Sequence, residues 1–222
     1  MLKRAFDIVL SGIAMIILFP LMLPVMLALK LTGEGEVFFI QPRAGKGGKP
    51  FNMIKLATML KESPNLPGGD ITLPNDPRVL PFGRLLRKLK LNEFPQLWNI
   101  FRGDMSFIGW RPLTLDSFAR YPTAIQELLI TMKPGLTGIG SLVFRDEESI
   151  KSTLGKSIHD CYYEDILPYK GKLEQWYSEH QGLWLDLKIL FFTVWAILLP
   201  KHKSYLKYLK KIPDWPFSLH KL

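Results

Sequence analysis

The sequence predicts an α+β fold held at a membrane: a monotopic protein with an N-terminal re-entrant helix-break-helix, a small mixed domain and a C-terminal interfacial amphipathic helix. Three observations predict it. A charge-free stretch near the N-terminus is long enough to reach across a bilayer but carries prolines near its middle. Short apolar runs around a glycine-rich turn and a helical repeat of cations follow it. A second apolar run, interrupted by charge and bearing tryptophans, lies near the C-terminus. The expected division is residues 1–31, 32–182 and 183–222.

The charge-free stretch is Ile8 to Leu29, which as a helix would be about 30 Å long. Pro20 and Pro24 each remove a helical hydrogen bond and crowd the preceding turn, so a break is expected between two helical halves. Lys3 and Arg4 precede the segment, and Lys30, Arg43, Lys46 and Lys49 follow it. A hairpin that dips in and returns keeps both cationic groups on the cytoplasmic side, whereas a spanning helix places one group across the membrane. A signal peptide is disfavoured by the prolines and by the lack of a small-x-small cleavage site. Asp7 is a candidate cap or anchor for the segment.

Val37 to Gln41 and Phe51 to Ile54 flank a Gly-Lys-Gly-Gly turn and read as a β-hairpin. Gly45, Gly47 and Gly48 lack the spacing of a phosphate-cradling loop and are read as turn residues. Glu62 to Pro77, rich in Pro, Gly and Asn, reads as a surface connection, with a lid as the alternative. In Pro81 to Pro112, Arg84, Arg87 and Lys88 recur at helical spacing opposite Leu85, Leu86 and Leu89, giving a cationic and an apolar face. Asn92 stands where a second helix could start, and with Glu93 in the first turn it reads as an N-cap. The same geometry would gather a carboxylate, free N–H groups and arginines, which is how phosphates are held.

The second apolar run, Leu183 to Leu199, contains Asp186, Lys188, Trp184 and Trp195, and suits the membrane surface better than a crossing; a buried core helix is the alternative. Lys201 to Lys211 interleaves lysines with Tyr and Leu, as an anionic-lipid contact would, or is a solvated tail. The formal net charge of +9 over 222 residues points to an anionic partner. A single cysteine, Cys161, excludes an intramolecular disulfide framework, and His159, His180, His202 and His220 show no metal-ligand spacing.

The ordered motifs resemble one family, the monotopic phosphoglycosyl transferases among the bacterial sugar transferases. They run through Gln41-Pro42-Arg43-Ala44-Gly45, Lys55-Leu56-Ala57-Thr58-Met59 and Asn75-Asp76-Pro77-Arg78. Leu86-Arg87-Lys88, Leu91-Asn92-Glu93-Phe94-Pro95-Gln96-Leu97, Gly103-Asp104-Met105-Ser106 and Arg111-Pro112 follow in order. Lys133-Pro134-Gly135-Leu136-Thr137-Gly138 and Trp184-Leu185-Asp186-Leu187-Lys188-Ile189 complete the set.

The resemblance implies transfer of a sugar-1-phosphate from a UDP-sugar to polyprenyl (undecaprenyl) phosphate, releasing UMP, with Mg2+ as cofactor, on the cytoplasmic face of the bacterial inner membrane. It implies a transferase domain over residues 32–182. It assigns Glu93 to catalysis and metal binding, Asn92 beside it, and Arg78, Arg84, Arg87, Arg111 and Arg145 to phosphate or substrate binding. The partners implied are the UDP-sugar donor, the polyprenyl phosphate acceptor and an anionic lipid membrane, with a homodimer also admitted.

The family's pattern has an Asp nucleophile where this chain has Asn92. Three readings follow: Glu93 supplies the carboxylate, the site transfers directly or slowly, or position 92 carries an introduced substitution. Ala57 stands where the family usually has arginine, and Trp110 where it has proline; for Trp110, packing is preferred over stacking on a ligand ring. The rivals are a catalytically impaired membrane scaffold and a basic nucleic-acid-binding protein. The second is disfavoured, since it leaves the apolar segments unexplained and no nucleic-acid motif is present.

Overall fold

The computed structural model describes residues 2–66, 72, 75–145, 160–199, 209 and 212–214. The chain divides into two compact units, Met1–Arg43 with Phe51–Ser106, and Ala44–Pro50 with Phe107–Leu222.

The first unit opens with α1 (Leu2–Thr32), and here the structure departs from the expected helix-break-helix. The helix runs unbroken past Pro20 and Pro24, which lie inside it. Only 11% of its most apolar window is buried in the protein, so this is not the core helix of a water-soluble fold. Both ends of α1 are nevertheless tied down. Near its start, Arg4 donates to the carbonyls of Ile100 and Phe101, at 2.6 and 2.7 Å. These belong to the last turn of α3 (Gln96–Arg102), where the negative end of the helix dipole favours a cation. Asp7 is buried and accepts from the Ser106 hydroxyl at 3.1 Å, so the expected anchor is present. Near the other end, Leu29 joins Leu56 and Leu86 in a core that Val25, Met26 and Phe82 extend.

The predicted hairpin forms as antiparallel β1 (Phe38–Arg43) and β2 (Phe51–Leu56), with Phe38 opposite Leu56 and Arg43 opposite Phe51. Gly47 and Gly48 in its connection have φ of 71° and 72°, conformations that side-chain-bearing residues avoid. Pro81 begins α2 (Pro81–Lys88), a position where its missing N–H costs nothing. The apolar face expected of α2 is divided: Leu86 is buried in the core, while Leu85 and Leu89 are exposed. α3 is bolted to β2 by one side chain. Asn99 donates to the Asn52 carbonyl at 2.8 Å and accepts from the Ile54 N–H at 3.1 Å.

β3 (Ser106–Ile108) pairs with β4 (Gly135–Thr137), and from Phe107 onward the chain belongs to the second unit. Short helices α4 (Leu115–Ala119), α5 (Thr123–Thr131) and α6 (Ile139–Val143) surround the pair. A π-helical turn, Cys161–Ile166, leads into α7 (Leu167–His180), and α8 (Leu183–Leu198) follows. Trp110 is fully buried, donates its indole N–H to the Met132 carbonyl at 3.3 Å and lies against Phe118, so it packs within the protein core. α8 is two-sided. Asp186, Ile189 and Ala196 face the unit, with Asp186 accepting from the Tyr177 hydroxyl at 2.5 Å, and Trp184, Phe191, Val194 and Leu198 are exposed. Asp186 therefore interrupts the apolar run in sequence while serving the packed face. Most of Lys201 to Lys211 lies outside the described residues.

Candidate active site

The Asn92–Glu93 pair sits in a 3₁₀ turn, Leu91–Glu93, between α2 and α3. Lys90 enters the turn with φ of 59°, a left-handed conformation uncommon for a residue with a side chain. The turn closes through the Glu93 N–H to the Lys90 carbonyl at 3.2 Å and the Phe94 N–H to the Leu91 carbonyl at 3.1 Å.

This geometry overturns the N-cap reading of Asn92. α3 is preceded by Pro95, and no side chain caps it. Asn92 is instead buried, and its Oδ1 has no hydrogen-bond partner among the described residues. A buried carbonyl oxygen left unpaired costs about 1–3 kcal/mol, so the fold tolerates a penalty at this atom. Glu93 is half-buried next to it in the chain. Together they present an amide oxygen and a carboxylate, hard donors of the kind Mg2+ accepts when substrate phosphates and water complete its shell. Among the described residues no group of three or more His, Cys, Asp and Glu is placed to hold a metal, so such an ion would depend on substrate oxygens here.

The arginines fall into distinct settings. Arg84 is exposed on α2. Arg87, half-buried on the same helix, donates to Thr72 Oγ1 at 3.0 Å and reaches Met59 Sδ at 3.7 Å. Arg78 is buried, with Nε and Nη2 on the two Asp76 carboxylate oxygens at 2.9 and 2.7 Å and Nη1 on the Ser63 carbonyl at 3.1 Å. Its charge is thus already balanced, and it braces the loop rather than standing open as a phosphate clamp. The signal for this was present in sequence, since Asp76 and Arg78 lie two apart in an Asn-Asp-Pro-Arg turn. Arg111, exposed, and Arg145, half-buried, belong to the second unit.

Two features escaped the sequence reading. Phe94 and Pro95, directly after Glu93, help wall an apolar groove of about 600 Å³ in the first unit. In the second unit Trp110, Arg111, Ser141, Lys170 and Glu174 line a cavity of about 20 Å³, room for roughly one water. Glu174 Oε2 and Ser141 Oγ there are buried without partners among the described residues. Burial pushes the Glu174 carboxyl up to about 8, against the opposing pull of Lys170 and the Gly140 N–H. Nothing in Lys-Gly-Lys-Leu-Glu signals a buried acid, since such a run usually marks a solvated helix face.

A family description of bacterial sugar transferases matches residues 1–200. The chain belongs to the bacterial sugar transferase family. Within that family, an uncharacterized sugar transferase of Haemophilus influenzae is 32% identical over 211 residues, 89% of this chain and 41% of that protein. An undecaprenyl-phosphate glucose phosphotransferase of Komagataeibacter xylinus is 34% identical over 197 residues, 86% of this chain and 35% of that protein. The chain therefore spans less than half the length of these two relatives. The exopolysaccharide production protein ExoY of Sinorhizobium fredii matches more fully, at 32% identity over 213 residues, 90% of this chain and 86% of that protein. As a bacterial sugar transferase, the chain carries its Asn-Glu turn and its long apolar helix in the same compact unit.

Proposed function

We propose that this chain transfers a sugar-1-phosphate from a UDP-sugar to polyprenyl phosphate at the cytoplasmic face of the inner membrane, opening a surface-glycan pathway. The observation that carries the reading is the buried, unpartnered Asn92 oxygen beside Glu93, in a turn held by a left-handed residue. The names of the Komagataeibacter relative and of a Salmonella typhimurium relative, an undecaprenyl-phosphate galactose phosphotransferase, support the acceptor.

In this mechanism the Glu93 carboxylate attacks the sugar-bearing phosphorus, the bond to the UMP oxygen breaks, and UMP departs with that electron pair. An oxygen of the polyprenyl phosphate then attacks the same phosphorus, giving polyprenyl-diphosphate-sugar and returning the carboxylate. Asn92 Oδ1 and Glu93 would hold Mg2+, which supplies neutralisation of the diphosphate charge when bound. Arg84 and Arg87 on α2, in the same unit as Glu93, would contribute fixed positive charge to the phosphates, and the family resemblance gives Arg111 and Arg145 of the second unit a phosphate or substrate contact of their own.

The attachment of α1 supports a re-entrant arrangement. Arg4 and Leu29 would be about 37 Å apart along a straight helix. Yet Arg4 binds Ile100, whose neighbour Asn99 binds Ile54, and Leu29 packs in the core with Leu56, two residues further along β2. Tethering both ends to one unit favours a helix bent at its prolines that leaves by the leaflet it came from. The exposed Trp184, Phe191 and Leu198 of α8 favour a helix lying in the same interface.

The test is UMP release by purified protein with Mg2+, undecaprenyl phosphate and a panel of UDP-sugars, beside Glu93→Ala and Asn92→Asp variants. Turnover in the parent that Glu93→Ala abolishes supports the reading. Silence in the parent with activity in Asn92→Asp would instead mark a membrane scaffold that keeps the fold and its ligands but lacks the nucleophile.

A further inference from the structure

We propose that the apolar groove of the first unit takes the isoprenoid chain of the acceptor, with the acceptor phosphate at the Asn92–Glu93 turn; this rests on the transferase reading above. All of the groove's lining side chains are apolar, and they come from four places in the unit, Ile54 of β2 among them. Phe19 and Pro20 lie on α1, Phe38 and Ile40 on β1, and Phe94 and Trp98 follow the turn. Pro20, one of the two prolines inside α1, is itself part of the wall.

The occupant follows from what borders the groove. Phe94 and Pro95 of its wall follow Asn92 and Glu93 directly in the chain, and the Asn92 oxygen there is buried without a hydrogen-bond partner among the described residues. A ligand spanning both must have a phosphate head joined to a long uncharged hydrocarbon, and a polyprenyl phosphate has that form. The exposed Arg84, which lies on α2 just before the turn, adds positive charge on the head side. A nucleotide-sugar does not suit the groove, because its hydroxyls and charges would be buried without partners there. An ordinary phospholipid would fill the apolar volume with an acyl chain, but its phosphate is a singly charged diester, whereas a polyprenyl phosphate brings a terminal monoester of higher charge to the turn.

The groove also gives the acceptor a reason to be recognised by its chain rather than by its phosphate alone. Burying one isoleucine-sized side chain against hydrocarbon changes an equilibrium by about tenfold or more. Ile40 is exposed and lies outside the packed core of Leu29, Leu56 and Leu86, so its replacement leaves that core intact.

The experiment uses the full chain in nanodiscs, with the donor that gives turnover. Ile40→Asn and Ile40→Trp, the second filling the groove, should each raise KM for undecaprenyl phosphate about tenfold while KM for the UDP-sugar stays put. Leu85→Asn, exposed on α2 and outside the groove, is the control for membrane-face apolarity. Equal effects of Leu85→Asn and Ile40→Asn on acceptor KM would overturn the groove assignment, as would unchanged acceptor KM in both Ile40 variants. Independently of turnover, a polyprenyl phosphate bearing a diazirine in its third isoprene unit should label the Phe38–Ile40 or Trp98 peptides and be displaced by undecaprenyl phosphate. Equal displacement by phosphatidylglycerol would show an acyl-chain surface and sink the proposal. If the parent releases no UMP with any donor but the selective labelling stands, the transferase reading fails while the groove survives.

Discussion

Gly109 and Gly135 meet main chain to main chain: a methyl group built on Gly135 would lie 2.2 Å from the Gly109 nitrogen. The Gly109 N–H donates to the Thr137 carbonyl and the Gly135 N–H to the Trp110 carbonyl, so the contact is the seam of the β3–β4 pair. Gly138 closes on the same spot, its added methyl falling 2.0 Å from the Gly109 carbonyl oxygen. The glycines of Lys-Pro-Gly-Leu-Thr-Gly are therefore steric requirements of the fold.

Gly135→Ala should destabilise the protein by about 3 kcal/mol or more, since backbone, unlike a flexible side chain, cannot yield. Gly182→Ala, where an added methyl meets nothing within 4 Å, should be neutral. Thermal melts of the two variants in detergent decide the point, and equal melting temperatures would show that the seam can relax.

Asn99→Ala should cost about 3 kcal/mol, because it strips partners from the Asn52 carbonyl and the Ile54 N–H together. Denaturant unfolding measures the loss. Hydrogen exchange at the Ile54 amide should rise in the variant, and an unchanged exchange rate would mean another group had taken over.

Asn92→Ala separates stability from function. Removing a buried oxygen that lacks a partner among the described residues should leave the unfolding free energy within about 1 kcal/mol of the parent, or raise it, while UMP release falls at least about tenfold. A variant that unfolds would show that the amide is structural.

Glu174 makes stability depend on pH. Its folded carboxyl titrates near 8, above its ordinary value of 4.5, so the native state holds a proton that the unfolded chain has released. The stabilisation is whole below about 4.5 and is lost progressively as pH rises towards and through 8. Glu174→Gln should flatten that slope and make the variant the more stable form at pH 9, by on the order of a few kcal/mol. Parallel pH–stability curves for parent and variant would place the acid in water instead.

Several features were readable from local order alone. The hairpin needed only apolar runs and a glycine turn, and Gly47 and Gly48 adopt the positive φ that such a turn requires. The length and apolar character of α1 follow from composition, and Arg84, Arg87 and Lys88 do lie on one short helix. The position of the Asn-Glu pair in the chain was also legible, but its setting was not. Read locally, Asn92 looked like a cap; in the fold Pro95 precedes α3 and the amide oxygen is stranded.

The sequence by itself determined the long apolar segments, the ordered motifs that mark a bacterial sugar transferase, and the pattern of helix and hairpin, because these depend on neighbours a few residues apart. Only the tertiary structure decided which polar groups are satisfied. Arg78 is neutralised by Asp76 and donates to the Ser63 carbonyl, Glu174 is forced towards its protonated form, Asp7 is tied to Ser106, and an apolar groove opens at Phe94 and Pro95. Burial and hydrogen-bond completion are properties of a group's surroundings in space, and those surroundings are assembled from residues as far apart as α1 and α3.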